Sequence, residues 1–290
     1  MKQIFLSSLS LLLLSGCDRL ATIPYAPQQT PESWLNIQPF TKVEIGTVNF
    51  ILVQPSSTFL VYLLGIIAIG VGVYFLRIQE SSRSQTWWGI ALLLWGFGAL
   101  FAGTSYQALS YEIKCAGRDL CSWTSWWEII YLLLSVASIN AMMIAGAFAC
   151  CTGTWQKALV YYALANMISY AIVVGVGVSF LNKFMISFEL LLLFTAPTIL
   201  ALFILNSRRY SKFKVHMDWV LVVTWLWLGA TIAAYFIYLS LNFTDMLWEH
   251  GIWFSENDVL HLGLISWMVY IARNVAHQIT DHTPAQLSEK

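Results

Sequence analysis

Charge is what this chain has least of: Asp, Glu, Lys and Arg supply 10% of its 290 residues, where ordinary soluble domains carry about a quarter. With 58% of the residues hydrophobic, that shortage excludes an ordinary soluble domain. The formal net charge is zero, and nothing points to a nucleic-acid partner. No lysine occurs between Lys214 and Lys290, which removes the Schiff-base residue that a retinal pump needs in its last helix. Proline is scarce in the apolar segments, where Pro197 stands alone and implies a local kink. No long internal repeat is visible, so the paired repeats of many transporters are missing as well.

What the chain has instead is apolar length. Segments near 58–76, 86–109, 126–150, 158–180, 184–205, 219–241 and 259–275 each approach the roughly 20 residues needed to cross about 30 Å of hydrocarbon. They predict an all-α, polytopic membrane protein, a seven-transmembrane-helix bundle whose neighbouring helices are antiparallel and joined by short connections. Ahead of them, "MKQIFLSSLSLLLLSGCDRL" has one Lys, a short apolar run and small residues before a cysteine, the pattern of a signal peptide over 1–16. Leu14-Ser15-Gly16-Cys17 resembles a bacterial lipobox. The resemblance implies cleavage before Cys17, lipidation of that cysteine and, with Asp18 next to it, residence in a bacterial inner (plasma) membrane. An ordinary signal sequence or an uncleaved anchor is the alternative.

An exported Cys17 places the 17–57 segment outside and fixes the alternation of the helices. The loops then predicted inside hold Arg77, Arg83, Lys157 and the run "SRRYSKFK", as the preference of basic residues for the cytoplasm requires. The expected topology is therefore N-terminus outside and C-terminus inside, with a transmembrane domain over 58–276 and a cytoplasmic tail over 277–290. Cys115 and Cys121, in the loop between the second and third helices, are candidates for a disulfide in an oxidising compartment, two free thiols being the alternative. Within the external segment, Pro24, Pro27, Pro31 and Pro39 argue for a linker or small cap without helix. "KVEIGTVNFILVQ", with Gly46 at its centre, suggests a short hairpin or interfacial strand pair. Trp87-Trp88 and Trp126-Trp127, at helix starts, read as interfacial anchors.

Candidate functional residues are the polar groups inside apolar segments, because a charge deep in hydrocarbon costs at least about 2.5–3.5 kcal/mol and normally faces a partner in the bundle. Glu128 opens the third helix, with Tyr131, Ser135 and Ser138 following on the same face. Tyr106, Gln107 and Glu112 gather at the outer end of the second. In the seventh, Asn257 and Asp258 stand four and three residues before His261, close enough to share its face. These residues are expected to line one outward-facing polar pocket. Asn140 and Glu189 are expected as packing partners, Asp218 as a cap on the sixth helix, and His250 as a solvated side chain.

"ALSYEI" (Ala108 to Ile113), followed by "EIIY" (Glu128 to Tyr131), is similar to the region between the second and third helices of alkaline ceramidases, and "NDVLHL" is similar to a modified His-x3-His. In helix number and orientation too the chain resembles the seven-helix membrane hydrolase and receptor superfamily that includes alkaline ceramidases and adiponectin-type receptors. The resemblance implies a zinc site at one membrane face, with His261 as a ligand and Glu128 or Asp258 as carboxylates activating water. It departs where the second-helix histidine would fall, for Tyr106 or Gln107 stands there, and Asn257 occupies the first histidine position of the seventh helix. Catalytic zinc usually takes three protein ligands, and only one well-placed histidine is on offer. Two functions follow: a non-catalytic receptor, scaffold or assembly factor with a membrane-lipid or protein partner, in which His261 hydrogen-bonds Asn257, Tyr106 or Glu128; or a metal-dependent hydrolase of a lipid amide or ester.

Overall fold

The computed structural model describes residues 19–78 and 82–282; the signal peptide over 1–16 and the lipidation candidate Cys17 lie outside the described residues. The chain enters through a short helix α1 (Pro31–Asn36) and an antiparallel hairpin, β1 (Phe40–Ile45) and β2 (Val48–Val53). The prolines of this segment do not exclude a helix. Pro31 takes the first helical position, where its missing N–H would have had no partner in any case, and Thr30 caps the turn by accepting from the Ser33 N–H at 3.2 Å. Ile45 pairs with Val48 across a two-residue turn, and Gly46 supplies the positive φ of +62° at its first position.

Seven helices follow that are long and apolar enough to cross a membrane. They are α2 (Pro55–Ile78), α3 (Arg83–Ala102, prolonged by a π-turn over Gly103–Ala108), α5 (Trp126–Cys150), α6 (Gly153–Phe180), α7 (Phe188–Phe213), α8 (His216–Ser240) and α10 (Glu256–Tyr270, continued to Gln278). Two short helices, α4 (Ser110–Lys114) and α9 (Phe243–Glu249), lie in the connections. The fold is an all-α polytopic bundle of a multi-pass membrane protein. The run "SRRYSKFK" is not a loop: α7 continues through it and ends at Lys214, whose φ of +53° breaks the helix.

α5 is the central post, its side chains buried against α3, α6 and α7. Trp88 leaves the expected interfacial role and enters this core, 1% exposed and stacked on Trp225 with ring centroids 5.9 Å apart; the neighbouring Trp87 also packs against it. The two ends of the bundle differ. At the hairpin end, α1, the hairpin, α4 and the loop closed by the Cys115–Cys121 disulfide form a cap. At the opposite, tail end, Asp281 folds back onto the start of α3, accepting from the Ser84 N–H at 2.8 Å and the Arg83 N–H at 3.0 Å.

That contact satisfies donors a helix start leaves open. Burial pushes the Asp281 carboxyl up, but the hydrogen bonds from Ser84, Arg83 and Ser82 outweigh it and hold the pKa below the ordinary carboxylate value. A depressed folded pKa gives a contribution that is present above the unfolded value, about 3.9, and is lost as the pH falls through the folded one. The tail therefore stays anchored at neutral pH and releases in acid. Asp281→Asn, measured by hydrogen exchange at neutral pH, is expected to speed exchange of the Arg83 and Ser84 amides with the bundle otherwise unchanged.

Candidate functional site

The hairpin end carries most of the polar residues singled out by sequence, in two separate clusters. Glu128, in the first turn of α5, is 3% exposed. Its Oε1 accepts from Lys114 Nζ at 2.5 Å and from the Ser105 hydroxyl at 2.8 Å, and Ser105 in turn meets the Ser125 hydroxyl at 2.6 Å. Lys114, equally buried, also lies 4.9 Å from the centre of the Tyr106 ring. Burial, the largest single influence, pulls the Lys114 pKa down, but the charge and hydrogen bond of Glu128 and those of Tyr25 together outweigh it, and the ammonium stands above its ordinary value. Glu112 is used elsewhere: its Oε1 accepts from the Ile51 N–H at 3.0 Å and fastens α4 to β2. Gln107 is buried, with its Oε1 lacking a partner.

Asp258 belongs to the second cluster. It is the third residue of α10, and its Oδ2 accepts from the Ser255 N–H at 2.6 Å, the reciprocal half of a capping box. The same carboxylate takes the Ser56 hydroxyl at 3.3 Å and the Ser57 hydroxyl at 3.0 Å, so it ties the starts of α2 and α10 together. Asn257 stands in the first turn beside this cap.

His261, one turn further along α10, faces neither carboxylate. It lines a cavity of about 160 Å³ inside the bundle, 7% exposed, and its Nδ1 has no hydrogen-bond partner. The bonds to Asn257, Tyr106 or Glu128 that the sequence suggested are not made. Leu64, Trp95, Phe188 and Leu264 make the cavity mostly apolar, and Tyr131 and Ser135 add a phenol and a hydroxyl. The only residues of the expected polar pocket here are His261 and this polar face of α5; Tyr106 approaches from outside, its ring 6.0 Å from that of Tyr131 and perpendicular to it.

Zinc does not fit these residues. Among the described residues no three His, Cys, Asp or Glu side chains come together to hold an ion. Both Asp258 oxygens are engaged by hydroxyl and amide donors, and Glu128 is neutralised by Lys114. The partners Lys114, Ser56 and Ser57 were missed because they lie at helix ends on other segments; the available signal was that a buried carboxylate demands a cation, and Lys114 is the basic residue nearest the end of the second helix.

At the tail end Asp218 is not a helix cap. Wholly buried, it accepts from Arg209 Nε at 3.0 Å, and Arg209 Nη1 donates to the Cys150 carbonyl at 2.6 Å. Asn140 packs as expected, accepting from Asn166 Nδ2 at 3.1 Å.

Fold and site together define a seven-helix membrane protein with a polar lock at one end and a small intramembrane cavity beneath it. Residues 57–280 match the model of a family of unknown function, DUF6962, and the chain belongs to that family. No curated protein and no solved structure matches it.

Proposed function

We propose that this protein is a non-catalytic membrane receptor or scaffold, with its hairpin end on the outer side of the membrane and its tail in the cytoplasm, that binds an apolar ligand group in the cavity beside His261. The observation that carries this reading is the buried His261, which lines a mostly apolar cavity and whose Nδ1 has no hydrogen-bond partner. A buried polar atom without a partner costs about 1–3 kcal/mol, a cost a ligand's hydrogen-bonding group would remove. The size supports a ring or a short piece of chain rather than a whole lipid: an empty apolar cavity of about 150 Å³ in another protein holds benzene, whereas sites for drug-sized ligands run from about 300 Å³.

The concentration of basic residues at the tail end supports the orientation. The lipobox-like sequence supports a bacterial inner membrane. The hydrolase reading loses its support because both carboxylates it needs are consumed as helix fasteners.

The test is His261→Phe, which keeps a ring and removes the nitrogens. Thermal unfolding in detergent is expected to show unchanged or raised stability, and mass spectrometry of solvent extracts is expected to show loss of a small molecule that co-purifies with the wild type. A clear fall in melting temperature with an unchanged extract would assign His261 to helix packing and reject the ligand reading.

A further inference from the structure

A second cavity lies at the opposite end of the bundle, away from the one beside His261. Helices α6 and α7 are fastened to each other in the middle of the bundle, where the Tyr162 and Thr198 hydroxyls meet at 3.2 Å and Asn166 Nδ2 donates to the Phe194 carbonyl at 3.0 Å. Toward the tail end they part. Leu159 on one side and Ala201 and Leu205 on the other wall a crevice of about 480 Å³, floored by Met143 of α5. On α6 the lining runs from Trp155 to Leu159, about 6 Å along the helix. At its mouth stand Thr152 and His282. The His282 backbone is held by the Phe148 carbonyl at 2.9 Å, while its Nδ1 is buried without a partner.

The wall continues into charge. Ala201, Leu205, Arg208 and Lys212 follow one another at spacings of four, three and four, which keeps them on one face of α7. The same stripe is therefore apolar inside the crevice and doubly cationic just beyond it, and Arg208 and Lys212 are exposed. An apolar slot ending in a hydrogen-bonding ring and two cations has the polarity of an amphiphile with an anionic head.

We propose that this crevice is a binding site for one anionic glycerophospholipid of the surrounding bilayer, an acyl chain lying between α6 and α7 and the phosphate near His282, Arg208 and Lys212. A free phosphate ion would leave the apolar walls unused. The site is independent of the ligand reading at His261, and either stands if the other fails.

Native mass spectrometry of the detergent-purified full chain tests it, with phosphatidylglycerol and phosphatidylcholine of identical chains titrated separately. The wild type is expected to retain one phosphatidylglycerol in preference to phosphatidylcholine, by about fivefold for each cation engaged. Arg208→Gln with Lys212→Gln is expected to bring the two lipids close to equal. Ala201→Trp, at the exposed edge of the crevice, is expected to lose both lipids while eluting as the wild type does on size exclusion. Should that variant misfold, Leu159→Trp fills the slot from the other wall and is read in the same way. Equal retention of both lipids by the wild type overturns the proposal. So does a filled-crevice variant that binds phosphatidylglycerol normally, since that result places the lipid on the basic surface alone.

Discussion

Lys114→Met will destabilise the protein by about 3–5 kcal/mol, the cost expected when one member of a buried ion pair is removed and the other is left charged. The residue left behind is Glu128, 3% exposed, with the Ser105 hydroxyl still donating to it. Glu128→Leu alone should be comparably damaging, because it strands the buried Lys114 ammonium. The double variant, Lys114→Met with Glu128→Leu, should recover most of the loss, since a well-packed apolar pair of similar volume often equals a buried ion pair in stability.

Unfolding followed in detergent, arranged as a double-mutant cycle, checks this. Additive losses would show that the two groups do not act as a unit. Alkali provides a second check. The Lys114 pKa is raised, so its contribution is fully present below the unfolded lysine value, about 10.4, and is lost only as the pH rises through the folded one.

Gly96→Leu will disrupt the contact between α2 and α3, at about 3 kcal/mol, toward the upper end of overpacking costs. A Cβ at Gly96 would lie 2.6 Å from Ile69 Cγ1 and 2.8 Å from the Gly65 carbonyl oxygen. One helical stretch away, a Cβ at Gly72 would lie 2.9 Å from the Gly89 carbonyl oxygen. The two antiparallel helices therefore touch backbone to backbone at two levels, the close approach that small residues permit between membrane helices. A backbone atom cannot swing aside as a side-chain tip can, so the helices must separate. Gly70→Leu is the matched control: the same substitution on α2, where a new Cβ meets nothing within 4 Å, should stay within about 0.5 kcal/mol of the wild type. Equal losses from the two would mean that leucine is disfavoured for reasons other than the crossing.

The seven spans were legible because the hydrocarbon thickness sets their length, whatever packs against them. Their ends were less so. Charge reads as loop, yet Arg208 and Arg209 sit inside α7, since the last turns of a spanning helix can leave the apolar layer. Trp88 shows the same limit from the other side: an aromatic near a helix start suits an interface or a core, and only the arrival of Trp225 from α8 decides.

The polar residues were found individually, because each is conspicuous in an apolar segment, but their grouping was not. Helical periodicity relates residues within one helix, and it grouped Glu128, Tyr131, Ser135 and Ser138 on α5, of which Tyr131 and Ser135 line the cavity while Glu128 and Ser138 bond to α3 and its π-turn. It carries nothing about Lys114 arriving from the end of α4, or Ser57 arriving beside Asp258. Those pairings depend on how α2, α5 and α10 meet, as does the fact that Asp258 and His261, one turn apart, look toward different neighbours.

The central claim is that the carboxylates of the hairpin end fasten helices and do not hold a catalytic metal. Elemental mass spectrometry of the purified protein beside His261→Ala tests it most directly. The account predicts far less than one zinc per chain in both, indistinguishable between them. Near-stoichiometric zinc in the wild type that disappears in the variant would contradict it and favour the hydrolase.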